Sequence, residues 1–370
     1  MASMNSLGID KPPAKTRVAV AMSGGVDSST TAALLAREGY DLVGLTLKLY
    51  DKTDQDSGKS CCTGSDIADA AAIAAEYGFD HHVLDVRQAF ARKVIDSFVG
   101  AYAAGMTPIP CATCNAVVKF GDMLDAALGL GADCLATGHY VQTRAGPTGT
   151  PQLHRGADPT KDQSYFLFAV PPAALAKARF PLGGWTKART RAEAAQFGLL
   201  TAKKAESQDI CFVPSGDYTE VVAPRAGAKP GDIVDESGRI LGQHRGIIHY
   251  TIGQRRGLGI GGGNKVDGGA LYVVRIDPAR NAVVVGPKAA LARTVIAIQD
   301  CTWHEPGAAG PVQLQFRSAM VPVEAVLDPG PGGTARLTLH APQYGIAPGQ
   351  AAVCYAGTRV LGGGIIAAAA

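Results

Sequence analysis

At 370 residues, with 46% apolar and 18% charged positions, the chain has the length and composition of two or three packed domains, which excludes a disordered or fibrous protein. A net charge of +3 and an isoelectric point near 8.4 exclude a uniformly basic coat, so a nucleic-acid surface has to be a local patch. No run of about 18 apolar residues predicts a membrane span, and residues 1–15 lack the apolar core of a secretion signal, so the cytoplasm is the expected location and no membrane partner is expected. Eight cysteines then point to chemistry, metal or burial rather than to a disulfide scaffold.

Residues 1–15, polar and carrying Pro12-Pro13, read as a loose arm. From 16 to about 140, strand and helix patterns alternate. Strands are predicted over 17–22, 42–47, 82–85 and 133–137, and helices over 28–38, 66–77, 89–103 and 116–128. Such alternation predicts βαβ units and a doubly wound parallel sheet, with ligands beyond the carboxyl ends of its strands.

The first strand runs into Ala21-Met22-Ser23-Gly24-Gly25-Val26-Asp27-Ser28, followed at once by a helical pattern. Strand, glycine turn and helix aim backbone N–H groups and a positive helix end at an anion. Asp27 repels a phosphate, so its expected partner is a cation, with Mg²⁺ the natural candidate. No Gly-Lys-Ser/Thr follows, so this is not a Walker A loop. It resembles the PP-loop of the ATP pyrophosphatases, which split ATP into AMP and pyrophosphate.

Residues 50–65 read as a loop with Cys61-Cys62 near its end, and His81-His82, with no carboxylate or cysteine at ligand spacing, do not read as a metal site. Helix returns over 171–200, most clearly at 189–198. Beyond about 217, glycine and proline rise and short alternating runs appear at 271–276, 282–285, 312–316, 323–327, 334–339 and 351–355, which predict a β-rich, barrel-like region. The glycines at 257–263 precede no helical pattern and read as a loop rather than a dinucleotide fingerprint.

Two cysteine neighbourhoods carry chemistry. Cys111 and Cys114 form a C-x-x-C after Pro108 and Pro110, and a helical pattern from about 115 places Cys114 at a helix N-terminus, a position that favours the thiolate. Taken alone, the pair reads as half a zinc site, a redox dithiol, or one working and one bystander cysteine; no second C-x-x-C or H-x-x-x-H accompanies it. Cys211 follows the polar segment 203–206 at the change to β structure. Cys134, Cys301 and Cys354 read as buried.

Several further stretches make the resemblance specific. They are T-P-I-P-C-A-T-C-N with Lys119-Phe120 after it, A-T-G-H-Y at 136–140, K-D-Q-S-Y-F-L at 161–167, T-A-K-K with S-Q-D-I-C-F at 201–212, the run 242–262 and the tail Pro348-Gly349-Gln350 with L-G-G-G-I-I. With the PP-loop they span essentially the whole chain, which resembles the bacterial tRNA-specific 2-thiouridylase family. That resemblance implies an α/β fold: an N-terminal doubly wound, PP-loop (adenine nucleotide alpha hydrolase-like) domain over 1–217, a small β-rich tRNA-binding domain over 218–287 and a C-terminal β-barrel over 288–370. It implies ATP-dependent adenylation of the wobble uridine of tRNA at C2, then persulfide-based thiolation, with Mg²⁺, AMP and pyrophosphate, and a sulfur-relay protein as donor. Cys211 matches the persulfide carrier and Cys114 the nucleophile that forms a transient disulfide with it. Residues 21–28, with Leu47 and Gly138, match the nucleotide site, and His139, Lys161, Asp162, Gln163, Arg317 and Gln350 match tRNA contacts around the anticodon arm. Cys111 stands where many relatives carry an acidic residue. His244, Arg245, His249, Tyr250, Arg255 and Arg256 combine charge and rings suited to phosphates and bases. The competing expectations are an amide-forming PP-loop ligase, which needs no paired cysteines, and a non-catalytic RNA-binding redox or zinc protein, which turns over no ATP.

Overall fold

The computed structural model describes residues 4–50, 64–147, 149–206, 210–213, 215–260, 265–266 and 269–370. Cys61, Cys62, most of the loop expected at 50–65, residues 207–209 before Cys211 and the glycines at 261–263 lie outside the described residues. The chain divides into two compact units. One holds residues 1–94, 111–216 and 358–360, and the other 95–110, 217–357 and 361–370.

The first unit is built on a five-stranded parallel sheet of β1 (Arg17–Ala21), β2 (Asp41–Lys48), β3 (Asp80–Asp85), β4 (Cys134–Ala136) and β7 (Ala178–Arg179), in the order β3-β2-β1-β4-β7. Val18, Val20 and Met22 pack with Leu42, Cys134 and Ala136 against Ala32, Leu35, Ala70 and Ile73 of helices α1 (Val26–Arg37) and α2 (Gly64–Tyr77). The alternate residues Ala19, Val43, Leu45 and Leu135 are also fully buried, so both faces of the sheet are covered, as a parallel sheet requires. The order reverses between β1 and β4. That is the switch point at which the loops after neighbouring strands diverge and leave a crevice. The expected parallel α/β architecture is therefore the observed one.

One expectation needs correction. Residues 4–15 are not loose: Leu7 is buried in the core, its carbonyl accepts a 2.7 Å bond from Arg179 Nε, and Lys11 pairs with Asp133. An apolar Leu7 and a polar brace outweigh the composition of the segment. The hairpin β5 (Val141–Ala145) and β6 (Pro151–Arg155) was not expected; its strands are polar on one side, which hides the alternation.

The second unit contains helices Asp96–Ala103 and Thr219–Ala226, a four-stranded sheet and a six-stranded antiparallel barrel. The sheet runs Tyr272–Asp277, Ala282–Gly286, Gly231–Asp235 and Ile240–His244. Strand Ala292–Trp303 pairs with Ala335–Tyr344 on one side and Arg359–Ala369 on the other, which closes the barrel and leaves no open edge. Its interior is Ile296, Ile298, Leu314, Phe316, Leu327, Leu337, Leu339 and Ile366. The barrel-like expectation is met, and the long strand 292–303 that closes it is the part the alternating pattern did not reveal: it bulges between Gln299 and Thr302 around Asp300, whose φ is +52°.

Candidate functional site

The carboxyl edge of the parallel sheet carries two chemically different neighbourhoods. The first is the glycine loop after β1. Gly24 has φ +69°, and a Cβ there would stand 2.3 Å from the Asp66 carbonyl oxygen, so only glycine fits. Ser28 Oγ accepts from Ser23 N (3.1 Å), which folds the loop back over the first turn of α1. Gly138, two residues beyond β4, lies so close that a Cβ would meet Asp27 at 2.8 Å. The loops after β1 and β4 therefore touch at the switch point, and Leu47, buried on β2, closes the same edge.

Asp27, in the first turn of α1, is held by a set of groups from distant parts of the chain. Lys187 Nζ donates to both carboxylate oxygens at 2.8 Å, and the Tyr140 hydroxyl donates to Oδ1 at 2.8 Å. Glu206 accepts from Lys161 Nζ (2.7 Å) and Arg191 Nη2 (3.3 Å) and lies 3.4 Å from Lys187. Burial alone raises the Glu206 carboxyl, but the Lys161 hydrogen bond and the Lys187 and Lys161 charges outweigh it and hold it at about 2. Lys204 Nζ joins the loop to α2 by bonds to the Gly24 carbonyl (2.9 Å), Asp66 (2.7 Å) and Asp69 (2.6 Å). Sequence reasoning assigned Asp27 a metal partner and missed Lys187. A signal existed: Lys187 opens helix Lys187–Gln196, where a cation opposes the helix dipole and so needs a reason to be there.

The motif K-D-Q has a structural part to play. Asp162 pairs with Arg155 (2.8 Å) and accepts from Gly156 N, Ser164 N and Ser164 Oγ, while Gln163 Oε1 accepts from Tyr140 N at 2.9 Å. These bonds fix the segment that carries Lys161 to Glu206.

The second neighbourhood is apolar. Helix begins at Pro110, not at 115, so Cys114 closes the helical turn Pro110–Cys114 and runs directly into the π-wound stretch Asn115–Met123. The expectation of a thiol at a helix N-terminus is thus corrected. Cys114 is only 8% exposed, and burial raises its thiol pKa against the lowering effect of the nearby Lys119 charge. Lys119 Nζ also lies 3.5 Å from His139 Nε2, while His139 Nδ1 is 2.7 Å from Thr137 Oγ1. Desolvation, then the Lys119 charge, pushes the imidazole well below its ordinary pKa, so it is neutral and its Nε2 faces the ammonium as an acceptor. The rings of Phe120 and Phe180 flank it, with centroids at 5.9 and 6.3 Å. Cys211 is partly exposed; its carbonyl accepts from the Tyr50 hydroxyl (2.8 Å), and Phe212 packs edge-on against Phe90 at 5.7 Å. Tyr50 and Phe90 follow β2 and β3, so Cys211 is anchored at the same sheet edge that β4 and His139 close.

Within the second unit, Arg317 Nη2 donates to the carbonyls of Tyr344 and Gly345, and Gln350 Nε2 to those of Thr107 (3.1 Å) and Pro108 (3.4 Å). The expected base and phosphate contacts at His244 and Tyr250 are corrected. Both are buried, and His244 is spent on Gly246 N and the Asn281 carbonyl at 3.0 Å each. Arg245, Arg255 and Arg256 remain exposed. Among the described residues no cluster of three metal-ligating side chains occurs, and no helix is long and apolar enough to cross a membrane.

Three family profiles cover most of the chain: the tRNA methyl transferase HUP domain at residues 16–215, the tRNA methyl transferase PRC-barrel domain at 219–287 and the aminomethyltransferase beta-barrel domain at 293–366. Among curated relatives, the tRNA-specific 2-thiouridylase MnmA of Rhodospirillum centenum is 55% identical over 98% of this chain and 94% of its own. The protein of the same name from Cereibacter sphaeroides is 54% identical over 98% and 97%, and that from Paracoccus denitrificans 53% over 98% and 95%. A match of this extent, on a chain whose glycine loop, C-x-x-C turn and Cys211 segment are all assembled on one sheet edge or anchored to it, decides the assignment: the chain belongs to the tRNA-specific 2-thiouridylase MnmA family.

Proposed function

We propose that the protein is an ATP-dependent tRNA-uridine 2-sulfurtransferase of the cytoplasm, acting on the wobble uridine. The observation that carries this is 53–55% identity to the named 2-thiouridylases over 98% of the chain. Neither an amide-forming ligase nor a non-catalytic zinc or redox protein is favoured by it.

Residues 21–28, Leu47 and Gly138 form the nucleotide site in this reading. The Gly24 cradle, the start of α1 and the cations Lys187, Lys161 and Arg191 suit a polyphosphate. Lys187 and Tyr140 together occupy three of the roughly four acceptor sites of Asp27, so Oδ2 keeps one for a cation. That fits Mg²⁺ shared between one carboxylate and substrate phosphates, where it would supply charge neutralisation to the leaving pyrophosphate.

The chemistry needs a leaving group at C2 and a nucleophilic sulfur. Attack of the C2 oxygen on the α-phosphorus of ATP releases pyrophosphate and leaves an adenylate. A terminal persulfide sulfur on Cys211, supplied by a sulfur-relay protein, displaces AMP from C2 and leaves the base joined to Cys211 through S–S. Cys114 thiolate then attacks Cys211 Sγ, forms the Cys114–Cys211 disulfide and releases 2-thiouridine. The Lys119 charge, which lowers the Cys114 thiol against its burial, is placed to favour the thiolate. His139, Lys161, Asp162, Gln163, Arg317 and Gln350 are carried as tRNA-side residues, the last two and Asp162 by shaping backbone; the divisions 1–217, 218–287 and 288–370 are carried as catalytic, central and barrel domains.

Pyrophosphate release from ATP, measured with and without a tRNA transcript alongside a zinc assay, tests the reading. Release that requires tRNA, in a protein without stoichiometric zinc, is expected. ATP-independent behaviour with one zinc per chain would overturn it.

A further inference from the structure

Cys111 and Cys114 lie three residues apart in a single α-helical turn, Pro110–Cys114, and both are in the thiol form. Helical geometry sets their Cα atoms about 5 Å apart, inside the roughly 4.4–6.8 Å span of a disulfide. Their exposures are opposite: Cys111 is exposed and Cys114 buried. The two thiols are also close enough to influence each other electrostatically. This is a dithiol with one member facing solvent and one facing the interior.

The transfer described above ends with Cys114 tied to Cys211. Of the two sulfurs in that bond Cys114 is buried and Cys211 only partly exposed, whereas the exposed Cys111 is already beside Cys114. Resting on that reading of Cys114 and Cys211, we infer that Cys111 is the resolving thiol of the cycle. Its thiolate attacks Cys114 Sγ; the Cys111–Cys114 bond forms, the Cys114–Cys211 bond breaks and Cys211 leaves as thiolate, ready to take up another sulfur atom. The proton from Cys111 goes to solvent, and no net oxidation occurs in this exchange. The disulfide now ends at an exposed sulfur. An external dithiol, small-molecule or protein, reduces it with two electrons and two protons.

Tryptic cleavage separates the partners. Residues 94–119 contain no internal Lys or Arg and hold Cys111 and Cys114 alone, and residues 205–225 hold Cys211 alone. Full-length enzyme is loaded with inorganic polysulfide, desalted, and given ATP, Mg²⁺ and an unmodified tRNA transcript without reductant. It is then quenched in acid, alkylated and mapped. The wild type is expected to form 2-thiouridine and to carry the disulfide within 94–119, with Cys211 alkylated. Cys111→Ser is expected to form 2-thiouridine once, to trap 94–119 joined to 205–225, and to lose most multiple turnover at low dithiol. Product in that first turnover shows the variant folded. A wild type that retains the 94–119 to 205–225 link, or a Cys111→Ser enzyme that turns over like wild type at every dithiol concentration, overturns the resolving role alone. Thiouridine formed by Cys211→Ser, or no disulfide in either protein, overturns the transfer reading and the resolving role with it.

Discussion

The glycine loop and the Cys114 corner face the same edge of one sheet and work by opposite physics. Around Asp27 and Glu206 the chain gathers Lys187, Lys161 and Arg191, and this pairing holds the Glu206 carboxyl at about 2. Around His139 the chain gathers Phe120 and Phe180, and burial drives both His139 and Cys114 toward their neutral forms. On the proposed reading, the first region exchanges one set of charges for another when a polyphosphate arrives. The second holds a neutral thiol and a neutral imidazole, with the Lys119 charge lowering the pKa of each. On the proposed reading, separating them lets one protein handle a polyanion and a sulfur nucleophile without the charges of the first quenching the second.

The largest effect is expected at Asp27, where the charged region is most exposed to a single change. Asp27→Asn leaves Lys187 without its nearest carboxylate and removes an acceptor open to Mg²⁺, so ATP–pyrophosphate exchange should fall by about 10²-fold or more, with the thermal transition little changed. Exchange at the wild-type rate would show that the charged cluster braces the fold and does not serve the nucleotide.

Next comes Lys119. Its charge lowers a thiol that burial raises, so Lys119→Ala should push Cys114 further up. Release of 2-thiouridine after sulfur loading should then slow several-fold near neutral pH, because less of the thiol is thiolate. The sign is set by the thiolate: the release rate should climb as pH rises from about 7 to about 9 in both proteins, and the variant should need the higher pH. A flat profile would mean that Cys114 is not the attacking group.

The smallest effect is expected in the second unit, where Arg317 and Gln350 are tied to backbone but Arg255 and Arg256 are exposed. Replacing both arginines by Ala should weaken tRNA binding and reduce its logarithmic salt slope by about 1.5. An unchanged slope places the tRNA backbone elsewhere on the protein.

How much of this was legible in the sequence differs between the regions for a physical reason. The glycine loop could be read because backbone geometry dictates its residues: nothing but glycine fits beside Asp66. The parallel sheet and the barrel could be read because burial imposes period. Lys187 was legible only as a cation at a helix start, against the dipole; its partners Asp27 and Glu206, 160 and 19 positions away, are joined to it by folding alone. The Cys114 environment was misread because local pattern started the helix too late; Pro110, well suited to a first helical position, carries the true start. His244 and Tyr250 look like ligands in sequence, and burial alone decides that they are not.

Whether adenylation and sulfur transfer are coupled through Cys211 is tested most directly by measuring AMP and 2-thiouridine in the same reaction with a tRNA transcript. The wild type should form them in a ratio of about one to one, as activation of each C2 oxygen requires. Cys211→Ser should still release pyrophosphate on adenylating the tRNA but form neither free AMP nor 2-thiouridine. A Cys211→Ser enzyme that thiolates at the wild-type ratio, or a wild type whose only modified uridine is methylated, would contradict that coupling.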